Sequence, residues 1–292
     1  MARRVPGVLL VAALLALPSG GAAATPTGLK VGFAPFENQK EVLRKATPIV
    51  RYLSKRLGRP ITPFVAGDYP GVVEAMKGGK LDVAFLSPAA LVLAEKVAGV
   101  RVVLKSAYRG RTHYYSAIIT HADSGLTSLK DLKGRSFAFV DPGSTTGGVY
   151  PKLMLLNAGL NPATDFSAVI NAGGHDASIL AVANRKVDAA ATFANDDRGD
   201  DVPWKHILAD RASQIRVLGY SKPIPNGAVA VGKHLPEATT VALRQAFLDL
   251  SATDEGRSIL KQMYLIERFV PASSADYDPV REAFARVGLS LK

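Results

Sequence analysis

The chain of 292 residues is 48% hydrophobic and 21% charged, with 26 Gly, 18 Pro and no Cys. That composition excludes a disordered polymer, disulfides, thiolate metal sites, cysteine nucleophiles and lipidation of a cysteine. The formal net charge is +11, but the 36 Lys and Arg are spread singly, with no run beyond two. The pattern therefore speaks for small anions or anionic surfaces as partners, and no nucleic-acid partner is expected.

Arg3 and Arg4 open the chain, an apolar run spans Val8 to Leu17, and Ala22, Ala23 and Ala24 follow a Pro-Ser-Gly-Gly stretch. This order predicts a signal peptide over residues 1–24, cleaved near Ala24. The apolar run is about half of the roughly 20 residues that a membrane span needs. An exported, soluble mature chain is expected, not inserted in the membrane. It keeps a charge of +9, because the leader holds only the two arginines.

Leu29–Phe36 reads as a buried strand, Lys40–Leu57 as a helix closing at Gly58, and Ile61–Ala66 as a second strand. Gly71–Lys77 reads as a short helix and Leu81–Leu86 as a third strand. Ser87 and Pro88 then supply an N-cap and a first-turn proline for a helix to about Val97. Val102–Tyr108 and Tyr114–Thr120 are strands with no helix between them, which predicts a crossover between lobes. Arg135–Val140 is a strand running into Asp141-Pro142-Gly143-Ser144-Thr145-Thr146-Gly147-Gly148, with a helix following to Asn157. The alternation continues to Ile215–Gly219. A last strand begins at Ala228, and two or three helices lie between Glu237 and Lys292. About two domains are expected for this length. The reading is an α/β protein of two lobes, each a mostly parallel sheet flanked by helices. The first lobe is discontinuous (28–113 plus 220–292) and the second spans 114–219, with hinge strands near 114 and 220.

The Asp141–Gly148 segment leaves a strand and opens a helix. Hydroxyl residues there can cap the first turn, free N–H groups point outward, and glycines admit close approach of a ligand. Together they make an anion cradle of neutral donors. No Gly-Lys-Ser/Thr follows, so nucleotide hydrolysis is unsupported. Pro151 would break a regular helix ladder, which predicts an irregular turn or kink near Gly147 and Gly148.

Four segments occur in order: Asp68–Phe85, His113–Ile119, Asp141–Gly148 and Asn171–Ala190. Together they resemble the phosphate/phosphite/phosphonate-binding proteins of ABC importers, the PhnD-like family. The resemblance covers nearly the whole chain after the leader. It implies a type II periplasmic binding protein clamshell that delivers a small phosphorus oxyanion to a membrane permease driven by a separate ATPase. It also implies a monomer, a periplasmic location, and no enzyme activity, cofactor or metal. The ligand residues it implies are Tyr69, Tyr114, Ser144, Thr145, Thr146 and His175. Where relatives that bind 2-aminoethylphosphonate place carboxylates for the ammonium, the matching positions are Asn195 and Gly227. Asp196 and Asp197 lie one and two residues away, so a slip in register would restore an acid. As read, the site favours an amine-free ligand such as phosphate, phosphite or methylphosphonate. Phe193 could add apolar wall or belong to the core. Two alternatives stand beside this reading: a receptor feeding a sensor system, and an exported serine hydrolase using Ser144 and His175. Against the latter, G-x-S-x-G is absent, and the five histidines show no metal-binding spacing.

Overall fold

Apolar runs closed by glycine or capped by short polar side chains set the elements of this fold. The computed structural model describes Met1 and residues 28–263 and 266–288. The rest of the predicted leader lies outside the described residues. The first stretch alternates β1 (Leu29–Phe33), α1 (Gln39–Leu57), β2 (Ile61–Val65), α2 (Tyr69–Lys77), β3 (Val83–Leu86), α3 (Pro88–Ala98) and β4 (Arg101–Ala107). Asn38 caps α1 by accepting from the Lys40 N–H, and Gly58 ends it at φ 61, a left-handed position that favours glycine. Val42, Ala46, Ile49 and Leu53 form the helix's buried stripe.

The chain then builds β5 (His113–His121), β6 (Ser136–Phe139), α4 (Tyr150–Asn157), β7 (Ala168–Asn171), α5 (His175–Ala183), β8 (Ala189–Ala194), α6 (Pro203–Ile207), β9 (Ile215–Tyr220) and β10 (Ile224–Pro225). It closes with β11 (Ala228–Val231), α7 (Glu237–Leu250), α8 (Asp254–Gln262), β12 (Arg268–Pro271) and α9 (Asp278–Arg286). Two or three late helices were expected, and three are seen among the described residues; β12 between them was not expected.

Two six-stranded sheets result. One runs β12-β4-β11-β3-β1-β2; the other runs β10-β5-β8-β6-β7, with β9 also paired to β5. The expectation of mostly parallel sheets needs correction, because both are mixed. β1 is parallel to β2 and β3, and β6 to β7 and β8. β11 runs antiparallel to β3 and β4, and β5 antiparallel to β8, β9 and β10. The reason is that β5 and β11 enter their sheets from the other sheet. No βαβ crossover helix imposes a parallel direction on them.

The chain passes between the sheets twice, over residues 108–112 and 226–227. At the first passage Tyr108 and Arg111 exchange two backbone hydrogen bonds of 2.9 Å around Arg109 and Gly110, both at positive φ. Val140, Val149 and Tyr150 pack into the core shared by α2, α3 and α9, so the two sheets' layers are joined along one side. The Tyr150 hydroxyl donates to the Pro279 carbonyl at 3.3 Å there.

Candidate ligand site

A cavity of about 360 Å3 lies between the two sheets, where β1, β3, β6 and β8 end. Carboxyl ends of strands and amino ends of helices meet in such a crevice, the usual binding place of open α/β sheets. All the candidates read from the sequence line it: Tyr69, Tyr114, Ser144, Thr145, Thr146, His175 and Asn195.

The hydroxyl turn is built by its glycines. A Cβ on Gly147 would stand 2.3 Å from the Val140 Cβ, and one on Gly148 would stand 2.2 Å from the Asp141 carbonyl. Only glycine lets the turn fold back this closely onto the end of β6. Asp141 Oδ1 accepts from the Gly143 N–H at 2.7 Å, and Ser144 Oγ caps the turn by accepting from the Gly147 N–H at 3.1 Å. Residues Thr145–Val149 then form one π-helical turn before α4. In it the Val149 N–H donates to the Ser144 carbonyl at 3.0 Å, and the Tyr150 N–H donates to that of Thr145. The next donor would be Pro151, which has none. The Thr146 carbonyl it would have served accepts instead from the buried Ser116 hydroxyl at 2.8 Å. The irregular turn expected from Pro151 is thus a π-turn repaired by a side chain.

Tyr69 opens α2 behind the cap of Asp68, whose Oδ1 accepts from the Gly71 N–H at 2.7 Å. The tyrosine is 1% exposed, with Phe36 edge-on at 5.5 Å between ring centres. Its hydroxyl lies beside Ser144 yet meets no hydrogen-bond partner of good geometry. Tyr114, second residue of β5, sets its hydroxyl beside Thr145 and Thr146, and burial raises the pKa of both phenols.

His175 is the first residue of α5. Its N–H donates to the Phe36 carbonyl at 3.3 Å, its Nδ1 is 3.2 Å from Thr192 Oγ1, and Phe193 stands edge-on at 5.1 Å. Burial pushes its pKa down to about 3, so the ring is neutral at physiological pH.

The turn also joins the other layer. The Ala89 N–H at the start of α3 donates to Thr145 Oγ1 at 2.8 Å. Ser87 Oγ caps that helix through the Ala90 N–H at 3.2 Å and reaches the Gly143 carbonyl at 3.5 Å. Sequence reasoning placed the Ser87-Pro88 cap but not its role in the site. The signal was present, a helix start directly at the end of a buried strand. Phe36 was missed as well, since nothing local marks a loop phenylalanine as facing a tyrosine far along the chain.

The ABC transporter, phosphonate, periplasmic substrate-binding protein family model matches residues 31–277. The chain belongs to this family. The resemblance read from its motifs is thereby borne out. Among relatives of this phosphonate-family chain, the phosphate-import protein PhnD of Mycolicibacterium smegmatis is 31% identical over 281 residues, covering 88% of this chain and 84% of that one. The phosphonates-binding periplasmic protein of Escherichia coli (strain K12) is 29% identical over 240 residues, covering 80% and 70%. A crystal structure of Prochlorococcus marinus PhnD1 with methylphosphonate has a TM-score of 0.79 at 22% identity, covering 90% of this chain and 99% of that one. That likeness shows the fold, a type II periplasmic binding protein.

Asn195 lines the cavity, but its amide nitrogen donates to Asp201 Oδ1 at 3.0 Å. Asp196 is buried in its own loop, where it accepts from the N–H groups of Arg198, Asp200 and Asp201 at 2.9–3.1 Å. Burial alone would raise its pKa; those backbone bonds bring it below the ordinary carboxylate value. Neither Asp196 nor Asp197 lines the cavity, and Gly227, which does, has no side chain. Of the charged groups on the wall, Glu37 is ion-paired with Lys45. The hydroxyl turn with Tyr69, Tyr114 and His175 offers neutral donors, and Lys45 and Lys261 also line the cavity.

Proposed function

We propose that this chain captures a small, amine-free phosphorus oxyanion between its two lobes and hands it to the permease of an ABC importer, powered by a separate ATPase. Tyr69, Tyr114, Ser144, Thr145, Thr146 and His175 hold the anion, and Asn195 forms part of the wall beyond. The observation that carries the reading is the Tyr69 hydroxyl, buried beside Ser144 with no protein acceptor. A buried donor left unmatched costs about 1–3 kcal/mol, and an oxyanion oxygen matches it. Closure excludes water and strengthens every such bond. The passages at 108–112 and 226–227 serve as the hinge between the two lobes, a few residues away from the boundaries near 114 and 220 expected from the sequence. The chain acts as a monomer in the periplasm after its leader is removed near Ala24.

Binding without turnover fits the same geometry. Among the described residues no hydrogen bond joins Ser144 to His175, whose Nδ1 faces Thr192. A histidine with a pKa of about 3 is a poor base at neutral pH. Calorimetry against phosphate, phosphite and methylphosphonate tests the reading. Ser144→Ala and His175→Ala are each expected to weaken binding by at least about 1 kcal/mol. Unchanged affinity in both variants, or release of phosphate from a phosphonate or phosphomonoester, would refute it.

A further inference from the structure

A neutral histidine gives a hydrogen bond at one ring nitrogen and takes one at the other. The nitrogen that carries the proton therefore decides what His175 offers an anion. Its Nδ1 is 3.2 Å from Thr192 Oγ1, and both residues are buried. Ser178, one turn along α5, donates its hydroxyl to the Ala191 carbonyl at 2.6 Å, which pins the start of that helix to β8 beside Thr192. Phe193, the next residue of the strand, stands edge-on to the ring. Nε2 is left as the ring nitrogen without a protein partner among the described residues, on a side chain that lines the cavity.

The two neutral tautomers differ in how their protons are matched. With the proton on Nδ1, the ring donates to Thr192 Oγ1, and the threonine's own hydroxyl proton has no acceptor. Thr192 is fully buried, and among the described residues its hydroxyl has no other hydrogen-bond partner. A buried donor stranded in this way is costly, and Nε2 would present a bare lone pair to an anion. A doubly protonated ring strands the same hydroxyl proton, and burial opposes its charge. With the proton on Nε2, Thr192 donates to Nδ1 and the ring donates to the ligand, so both protons are used.

Resting on the oxyanion reading above, we propose that Thr192 is a positioning residue whose hydroxyl donates to His175 Nδ1 and fixes the ring as the Nε2–H tautomer. An uncharged histidine thereby becomes a hydrogen-bond donor to the oxyanion, in the same sense as the hydroxyls opposite. Thr192 does not itself line the cavity, so its effect passes through the ring.

The test uses protein labelled with nitrogen-15 at histidine and read by long-range proton–nitrogen correlation at neutral pH. Spectra are taken free and saturated with phosphate or methylphosphonate, and the His175 signals are assigned by their loss in His175→Gln. A neutral ring with a protonated Nε2 and an unprotonated Nδ1 is expected in both states. The spectrum of the parent fixes the tautomer without any variant of Thr192. Thr192→Ser should keep that tautomer and the parent's affinity. Thr192→Val, similar in shape but without the hydroxyl, should admit the other tautomer and weaken anion binding about three- to tenfold, one neutral hydrogen bond's worth. Added to His175→Gln, the same change should cost less than about twofold, because the two residues act as one unit. A liganded ring that carries its proton on Nδ1, or on both nitrogens, would overturn the inference while the oxyanion reading stands. So would Thr192→Val that binds as tightly as the parent, or that costs as much affinity with Gln in place of His175 as with the histidine. Failure of both phosphate and methylphosphonate to bind would overturn both.

Discussion

Tyr69 and His175 show how single side chains in this cleft are held in states that folding alone does not favour. Tyr69→Phe removes a buried hydroxyl that has no protein partner. Its expected effects therefore have opposite signs. Thermal stability without ligand should hold or rise slightly, while oxyanion affinity should fall by about 1–3 kcal/mol. Parallel melting and titration curves check the pair; a loss of stability would mean that the hydroxyl has a structural role. For His175 the direction follows from linkage. Its native pKa of about 3 lies below the ordinary 6.5, so as pH falls the unfolded chain takes up a proton that the native ring refuses. Its contribution to stability is complete above about pH 6.5 and is lost progressively toward pH 3. Unfolding midpoints between pH 7 and pH 4 should decline less steeply in His175→Gln than in the parent. The cavity-lining candidates were legible because hydroxyls, glycines and a histidine recur in a recognisable order. The partners that hold them, Thr192 for His175 and Asp201 for Asn195, were not, since nothing in the local pattern says which side chains converge.

The turn between β6 and α4 shows what an element inherits from its neighbours. Proline and paired glycines in the chain announced an irregular start, and the π-turn follows from two facts. Pro151 cannot donate, and both glycines lie where a Cβ would overlap other atoms. Gly148→Ala forces a contact of 2.2 Å with the Asp141 carbonyl. It is expected to destabilise the protein by about 1–3 kcal/mol through overpacking and to loosen the oxyanion site. Denaturant unfolding, with titration of the surviving folded protein, measures both. Helices and strands were read well wherever capping and period spoke locally, as at Ser87-Pro88 and Gly58. β12 escaped because a four-residue strand ending in Pro271 has little signal of its own and exists by pairing with β4. Strand direction escaped for the same reason: β11 meets β3 and β4 from a distant part of the chain.

Across the whole molecule, the two layers touch at the site through small polar contacts. Thr145 meets the α3 amino end, Ser87 meets Gly143, and His175 meets Phe36. Each of these hydrogen bonds joins residues far apart in the chain, and none depends on a charged side chain. The neutrality of the hydroxyl turn therefore has a kinetic consequence for a chain whose residues 25–292 carry a net charge of +9. Long-range attraction draws anions inward, but short-range dipoles retain them, and added electrolyte screens only the former. Stopped-flow measurements in rising sodium chloride should show arrival slowing severalfold between about 10 and 300 mM, as the Debye length contracts from about 30 Å to below 8 Å. The departure rate should barely change. An occupant once enclosed would then have a dwell time set by the protein's own dipoles, indifferent to the salinity outside.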